Sequence, residues 1–333
     1  MAMRILIVGT GSIGRRHFRN LHELGVRELA VVRSRRRMDE PRREFFATYR
    51  PRVFYDLASA LAEKPDAVFI CNPTSLHAPT ALAAIRGGAH VFIEKPISHS
   101  LLGVRTLIRE AEKRERILFV GYHFRYHPHL IAIKRLLEKK SLGTVYAARF
   151  TTGEYLPNWH PWENYRKSYA ARRDLGGGVT LTQSHDFDIA LWLFGKPRSV
   201  MARVGASGLL DLDVDDTADM VFSLEQCPAV SIHLDYLARP PEKRLEIFGS
   251  QGRIEWDYHA GTLCIVSGNG KVRSVPLPQG FERNQMYLAE ARDFIRCVRR
   301  TEEPESNGIS GRAVLEMCLR AKEASRRKRI VAF

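Results

Sequence analysis

The chain has 333 residues, of which 44% are hydrophobic and 27% charged, an ordinary composition for a globular protein with a core in each of two domains. No apolar run is long enough to span a membrane and the chain goes directly into a strand-like run, so we expect neither a membrane segment nor a signal peptide. The net charge is +15, but the arginines are spread along the chain and their clusters are not interleaved with aromatic side chains, so we predict no nucleic-acid binding.

The five cysteines are scattered along the chain and include no C-x-x-C pair. Unpatterned cysteines in apolar surroundings indicate reduced thiols, and we therefore expect a cytoplasmic protein. The sequence gives no reason to expect a metal site, and we predict none.

The first strand ends in a glycine motif. Residues 5–8 are apolar and β-branched, which predicts a buried parallel strand, and residues 12–24 read as a helix. In this context Gly9 permits a tight turn, Gly11 lets the backbone approach a pyrophosphate, and Gly14 lets the helix pack on the strand. The free N–H groups of the helix start then favour phosphates. The contacts predicted for this loop are Gly9, Gly11, Ser12, Ile13 and Gly14.

The second apolar run, residues 29–32, is followed by basic residues. In a dinucleotide-binding fold, an acidic residue at this point accepts from both ribose hydroxyls and selects NAD. This chain has Arg33, Ser34 and Arg35 there, and cations with a small hydroxyl suit a 2′-phosphate. We therefore predict NADP as the preferred cofactor and NAD as the alternative, against a solvated basic loop with no ligand.

Further strands and helices alternate through residue 123, which predicts a doubly wound parallel sheet in residues 1–123. Ligands of such a sheet bind at the carboxyl ends of its strands. Three strands, ending near residues 71, 93 and 120, are each followed at once by polar side chains. From these positions we predict that Asn72, Pro73, His77, Glu94 and Lys95 line the cofactor.

The pattern changes in residues 124–333. Short runs of period two, separated by glycine turns, predict a large and mostly antiparallel sheet from about residue 144 onward. Helical spacing in residues 185–194 and 287–298 predicts helices that cover one sheet face. The other face would need a partner, so we expect a homodimer or homotetramer. The predicted class is thus α/β, with a Rossmann-type domain followed by an α+β substrate-binding and oligomerisation domain.

Several motifs, in their order and spacing, resemble the glucose-fructose oxidoreductase / inositol dehydrogenase / rhizopine-catabolism (Gfo/Idh/MocA) superfamily over nearly the whole chain. They are Gly9-x-Gly11-x-x-Gly14, Cys71-Asn-Pro-Thr-Ser-Leu-His77, Glu94-Lys95-Pro96, Arg125-Tyr-His-Pro128, Gly176-Gly-Gly178, and His185-x-x-Asp188 before Trp192-Leu-Phe-Gly195. The resemblance implies an NAD(P)-dependent dehydrogenase or reductase that exchanges a hydride with a hydroxyl or ketone, usually on a sugar or polyol.

The resemblance also implies roles for single residues. Lys95 and His185 are the expected catalytic residues: a lysine that stabilises the reacting oxygen and a histidine that moves its proton. Many members have an aspartate one turn before the histidine, on the same helix face, where this chain has Thr182. Three alternatives follow: the proton relay runs through Lys95 and His185 alone, Asp186 or Asp188 compensates, or the protein does not catalyse ordinary dehydrogenation.

The substrate residues expected from the sequence are Arg125, Thr182 and Trp162. Trp162 belongs to an aromatic and polar segment, residues 154–166, that suits a sugar face but also reads as a packed loop. Nearby cations favour a sugar acid or a nucleotide sugar. This segment and residues 173–178 resemble family members of surface-polysaccharide and nonulosonic-acid metabolism. Two alternatives remain: a catalytically silent NADP-binding sensor, or an epimerase, lyase or glycosidase-like enzyme that uses its bound cofactor transiently.

Overall fold

The computed structural model describes residues 3–34, 38–162 and 164–333. The chain divides into two compact units, of which the first runs through His123 and also contains Arg283–Arg312. The second consists of Phe124–Glu282 and Ala313–Phe333. The division based on sequence differs, because it assigned residues 283–312 to the second domain.

The described helices and strands follow the chain in a regular order. The helices are α1 (Ser12–Glu23), α2 (Glu40–Tyr49), α3 (Leu57–Ala62), α4 (His77–Arg86), α5 (Val104–Lys113), α6 (Pro128–Glu138), α7 (Val179–Thr182), α8 (His185–Phe194), α9 (Arg283–Arg300) and α10 (Gly308–Arg327). The strands are β1 (Arg4–Val8), β2 (Glu28–Val32), β3 (Arg52–Phe54), β4 (Ala67–Ile70), β5 (His90–Glu94), β6 (Leu118–Gly121), β7 (Val145–Gly153), β8 (Pro197–Gly205), β9 (Thr217–Leu224), β10 (Cys227–Asp235), β11 (Glu242–Gly249), β12 (Gly252–Asp257), β13 (Thr262–Ser267), β14 (Val272–Ser274) and β15 (Val331–Ala332). None of these helices combines the length and the apolarity needed to cross a bilayer.

The sheet of the first unit is parallel and doubly wound. Among the described residues its strand order is β3-β2-β1-β4-β5-β6, so the order reverses beside β1. Strands β4 and β6 are buried along their whole length, as expected when helices cover both faces of a parallel sheet. The predicted Rossmann-type sheet is confirmed, and β1 ends at the switch point where such folds bind ligands.

Helix α9 belongs to the first unit because an aromatic side chain packs it on the sheet. Phe69, Phe92 and Phe119, on neighbouring strands, stack at centroid distances of 4.5 and 5.2 Å. Phe294 of α9 meets all three rings edge-on at 5.2 to 5.8 Å. Edge-to-face aromatic contacts add to the stabilisation from burial, so this contact fixes where the chain returns to the first unit.

The second unit holds a nine-stranded sheet in the described residues, with the order β14-β13-β12-β11-β7-β10-β9-β8-β15. Only the described pair β7 and β10 is parallel, which confirms the predicted, mostly antiparallel sheet. Phe187 of α8 packs edge-on against Phe222 of β9 and so covers one face. Met201 and Val221, paired across β8 and β9, are 56% and 41% exposed in this single chain.

Candidate functional site

The glycine loop follows β1 and opens α1. Gly9 has φ +102°, and a Cβ there would lie 2.6 Å from the carbonyl oxygen of Cys71 and 2.9 Å from the nitrogen of Asn72. A Cβ on Gly14 would collide with the carbonyl oxygen of Gly9. Only glycine therefore allows the turn to pack against the end of β4 while α1 begins at the carboxyl end of β1.

The space beside this loop fits a dinucleotide. A Cβ on Gly11 would meet no atom within 4 Å, so the backbone there faces open space. Gly11 is the N-cap of α1 and has no side chain with which to cap the helix, so the N–H groups of Ser12 and Ile13 remain for a ligand. The buried Oδ1 of Asn72, at the end of β4, has no hydrogen-bond partner among the described residues. These features suit a pyrophosphate and the polar groups next to it.

Two arginines that the sequence analysis does not predict donate hydrogen bonds to the backbone of the loop. Arg15 Nη1 and Arg42 Nε both donate to the carbonyl oxygen of Thr10, at 3.0 and 3.2 Å. Arg42 is also paired with Asp39, which caps the start of α2. Arginines that contact the backbone of a phosphate-binding loop have no local sequence signal, so the sequence motifs do not predict them.

The predicted NADP contacts lie directly after β2. The Nε of Arg33 donates to the carbonyl oxygen of Ser34 at 2.9 Å, and its guanidinium lies 5.4 Å from the ring centre of Phe46. Arg35, predicted as a third contact, lies outside the described residues. Arg33 and Ser34 thus stand at the strand end where the adenosine ribose of a dinucleotide is expected.

His77 connects the ends of β4 and β5. Its Nε2 lies 2.9 Å from the carbonyl oxygen of Asn72, and its Nδ1 lies 2.8 Å from that of Pro96. Burial lowers the pKa of His77, and the two carbonyl oxygens offset only part of this effect. The predicted cofactor residues Asn72, Pro73 and His77 therefore form one segment that the histidine holds against the chain after β5.

Glu94, at the end of β5, is held by a histidine of α1. Its Oε1 lies 2.6 Å from Nε2 of His17, which is fully buried, and its Oε2 accepts the N–H of Lys95 at 3.2 Å. Burial acts to raise the pKa of Glu94, but the hydrogen bond and charge of His17 and the charge of Lys95 outweigh it, so the pKa lies below its ordinary value. The carboxylate thereby fixes the backbone from which the Lys95 side chain starts.

In the second unit, Thr182 and His185 do not share one helix. Helix α7 ends at Thr182 and α8 begins at His185, so the same-face placement expected from sequence is wrong. Thr182 Oγ1 donates to the carbonyl oxygen of Gly178 at 2.9 Å and also hydrogen bonds the hydroxyl of Tyr236. Tyr236 is fully buried, and burial raises its pKa well above the ordinary value. Where the resemblance implies an aspartate, this chain therefore has the neutral hydroxyl of Thr182, which is paired with the neutral hydroxyl of Tyr236.

The carboxylates that follow His185 are engaged in buried ion pairs. Asp186 accepts from Nζ of Lys243 at 2.7 Å, and Asp188 is bound through both oxygens by Arg125 at 2.6 and 2.9 Å. Arg125, predicted as a substrate contact, therefore has a structural partner inside this unit. Lys243 stands in β11 among polar residues, and nothing local in the sequence distinguishes it from a surface lysine.

The remaining contacts of this region involve aromatic rings. The His185 ring meets the Phe124 ring edge-on at 5.0 Å, and Lys243 Nζ lies 4.7 Å from the same Phe124 ring centre. Trp162 is 58% exposed, and its ring lies 5.2 Å from that of His160. Trp162, the residue of this segment predicted to contact substrate, therefore presents an exposed aromatic ring.

Comparison with known families identifies the class of protein. Residues 3–122 match the Gfo/Idh/MocA oxidoreductase family, described as having an NAD-binding Rossmann fold, and residues 130–255 match the C-terminal domain of the same family. The chain belongs to this family and is an NAD(P)-dependent oxidoreductase, which confirms the resemblance stated from the motifs.

Individual relatives extend the likeness over the whole chain. It is 30% identical to a myo-inositol 2-dehydrogenase of Thermotoga maritima, over 99% of this chain and 98% of the relative. It is 28% identical to a UDP-N-acetylglucosamine 3-dehydrogenase of Acidithiobacillus ferrooxidans, over 97% of each chain. The solved structure of a UDP-N-acetylglucosamine 3-dehydrogenase from that organism aligns with a TM-score of 0.79 at 25% identity, over 98% of this chain and 99% of the other. A levoglucosan dehydrogenase bound to NADH and levoglucosan aligns at 0.87, over 99% and 98% of the two chains, and at 18% identity shows the fold.

The open space beside Gly11 leads to a first prediction. Gly11→Ala should weaken dinucleotide binding, measured by calorimetry, by roughly tenfold or more, because the methyl group occupies the space of the pyrophosphate. The free energy of unfolding should change by less than about 1 kcal/mol, since the new Cβ meets nothing in the protein. Gly205→Ala, also into open space but in the second unit, is the control and should leave binding unchanged. Unchanged affinity in Gly11→Ala would contradict the assignment.

The His17–Glu94 pair leads to a prediction for pH. The charged hydrogen bond should make Glu94→Gln less stable than the original chain by about 1.5–3 kcal/mol at pH 7. Folding lowers the pKa of Glu94 below its ordinary value of 4.5. The stabilisation is therefore fully present above pH 4.5 and is lost as the pH falls through the lower pKa of the folded state. Urea unfolding should therefore show a constant difference from pH 7 down to about 4.5. A difference that already closes above that pH would show that the carboxylate is not stabilised in its charged form.

Proposed function

We propose that the chain is a dehydrogenase that acts on a secondary hydroxyl of a sugar, sugar acid or nucleotide sugar. The glycine loop supports this most directly, because it offers free helix N–H groups and an unfilled space beside Gly11. The inositol and UDP-sugar dehydrogenases at 30% and 28% identity support the substrate class. A place in surface-polysaccharide or nonulosonic-acid metabolism is part of the same proposal, as is a cytoplasmic location.

In this proposal the glycine loop and the ends of β4 and β5 would hold a nicotinamide cofactor, which would supply the hydride chemistry, and residues of the chain handle the reacting oxygen and its proton. Lys95 donates a hydrogen bond to the reacting oxygen and stabilises the negative charge that develops there. His185 takes the hydroxyl proton during oxidation and returns it during reduction, since an imidazole can serve in either direction. Glu94 and His77 act indirectly, through the backbone and the loop that they hold.

For the substrate, Trp162 offers an exposed ring to a sugar face. Thr182 is buried and its hydroxyl is bound to Gly178 and Tyr236, so in this proposal it acts by positioning the segment before His185. Arg125 acts indirectly, by holding Asp188 of α8, because two of its guanidinium nitrogens donate to the two oxygens of that carboxylate. A homodimer or homotetramer formed through the open sheet face is also proposed, supported by the exposed Met201 and Val221.

NADP is the preferred cofactor in this proposal, because Arg33 and Ser34 follow β2 where a 2′-phosphate would lie. Calorimetry should show tighter binding of NADPH than of NADH. Arg33→Ala should weaken NADPH binding by roughly tenfold through loss of a charged hydrogen bond, and leave NADH binding nearly unchanged. Arg50→Ala, an exposed arginine after α2, is the matched control. Equal losses for both cofactors, or a preference for NADH in the original chain, would refute the selectivity.

The role of Lys95 can be tested by turnover of candidate substrates with NADP⁺ or NAD⁺, starting with myo-inositol and UDP-N-acetylglucosamine. Lys95→Met should lower kcat by roughly a hundredfold to ten-thousandfold, a much larger factor than any loss of cofactor affinity. Lys113→Met, an exposed lysine on α5, should turn over normally.

The same assay separates the alternatives. Cofactor binding without turnover of any sugar by the original chain would favour the sensor over the enzyme. Product formed without matching release of reduced cofactor would point to transient oxidation, as in an epimerase or lyase. Turnover with stoichiometric NAD(P)H and sensitivity to Lys95→Met is the result expected for the dehydrogenase.

A further inference from the structure

A polar cavity lies in the first unit at the amino ends of the sheet strands, whereas the glycine loop lies at their carboxyl ends. Its lining comes from the amino ends of β1, β4, β5 and β6 and from the turn after α4, and its volume is about 410 Å³. Small-molecule sites commonly occupy about 300–1,000 Å³. Because the dinucleotide is expected at the carboxyl ends of the same strands, this cavity is separate from the cofactor site.

The charge of the lining is positive. Arg4, Lys64 and Arg116 stand against a single carboxylate, that of Asp66. Asp66 is already used, since its Oδ2 accepts the backbone N–H of Arg4 at 2.7 Å and lies 3.8 Å from that residue's Nε. Among the described residues, Lys64 and Arg116 have no carboxylate within ion-pair distance, so the cavity favours an anion.

His90, at the start of β5, supplies a second and independent indication of a ligand. The backbone N–H of Ile117 donates to its Nδ1 at 3.0 Å, while Nη1 of Arg116 faces its Nε2 at 3.4 Å. A neutral imidazole can accept at only one nitrogen, and an arginine can only donate. With Nδ1 accepting, Nε2 must carry the hydrogen, so two donors point at each other with no acceptor between them.

Protonation of the ring would not relieve this conflict, because both ring nitrogens would then be donors. Burial and the charge of Arg116 lower the pKa of His90 to about 4, although Asp66 acts in the opposite direction. The ring is therefore neutral at pH 7 and keeps one N–H for an external acceptor.

We propose that this cavity binds a phosphate-type oxyanion, one oxygen of which accepts from both His90 Nε2 and Arg116 Nη1. An oxygen placed to one side of the two nitrogens can reach hydrogen-bond distance of each, since they are 3.4 Å apart. The Lys64 ammonium, which also lines the cavity, adds a second cation beside Arg116. The cavity has room for the organic part of a small phosphate ester beside the anion.

Calorimetric titration of the full chain with inorganic phosphate, and separately with glycerol 3-phosphate, tests the proposal. Arg116→Ala and His90→Phe should each weaken binding by roughly tenfold, as expected for one charged hydrogen bond, and Arg116→Lys should retain part of it. Arg105→Ala, an exposed arginine on α5 outside the cavity, should bind as the original chain does. If phosphate bound at the glycine loop instead, its affinity would be the same in all these variants. A difference in affinity between the variants and the original chain therefore reports on this cavity.

A second measurement follows binding in the original chain and uses a variant only to assign the signal. In the original chain, NMR titration of the histidine ring protons should show phosphate raising the pKa of one low-titrating ring, assigned to His90 by its absence in His90→Phe. Binding that is equal in Arg116→Ala and the original chain, or no binding of either phosphate compound, would overturn the proposal. These outcomes do not depend on the dehydrogenase assignment, because none of the cavity residues belongs to the proposed catalytic or cofactor set.

Discussion

The first unit depends on the absence of side chains where its first turn meets the end of β4. A Cβ on Gly9 would lie 2.6 Å from the carbonyl oxygen of Cys71, so a larger residue would push the turn and α1 away from the sheet. Helix α1 carries His17, and His17 holds Glu94 at 2.6 Å across the unit. Glu94 in turn accepts from the backbone N–H of Lys95. The close packing that Gly9 permits therefore positions α1, and the buried hydrogen bond between His17 and Glu94 passes this positioning on to the backbone of Lys95, the lysine proposed to act on substrate.

Buried polar groups do similar positioning work in the second unit. The Arg125–Asp188 and Lys243–Asp186 pairs have nearly no exposed surface, so removing one member would strand a buried charge at a cost of about 3–5 kcal/mol. Such pairs contribute little net stability compared with apolar packing, but they permit few alternative arrangements of the start of α8. We infer that their role is to hold the segment around His185 in one conformation, rather than to supply free charges.

Much of the fold was predictable because its signals are local. The Gly9 motif, the alternation of apolar runs and the period-two strands each depend on residues close in sequence, and both sheets are confirmed. The contacts that join distant segments were not predictable. Phe294 packs on strands some two hundred residues earlier. Lys243 of β11 meets a residue of α8, and Tyr236, directly after β10, meets a residue of α7. A single sequence carries no signal for such pairings, since each residue alone reads as an ordinary core aromatic or surface lysine.

The Thr182–Tyr236 pair changes the electrostatics that the resemblance implies. An aspartate at this position would bring a negative charge, whereas two hydroxyls, one of them with its pKa raised by burial, stay neutral at pH 7. Asp186 and Asp188 do not replace that charge, because each is neutralised by its own buried partner. The two carboxylates that follow His185 therefore supply no free negative charge to the start of α8. In the proposed mechanism His185 would therefore move its proton without a free carboxylate at position 182, where the resemblance implies one.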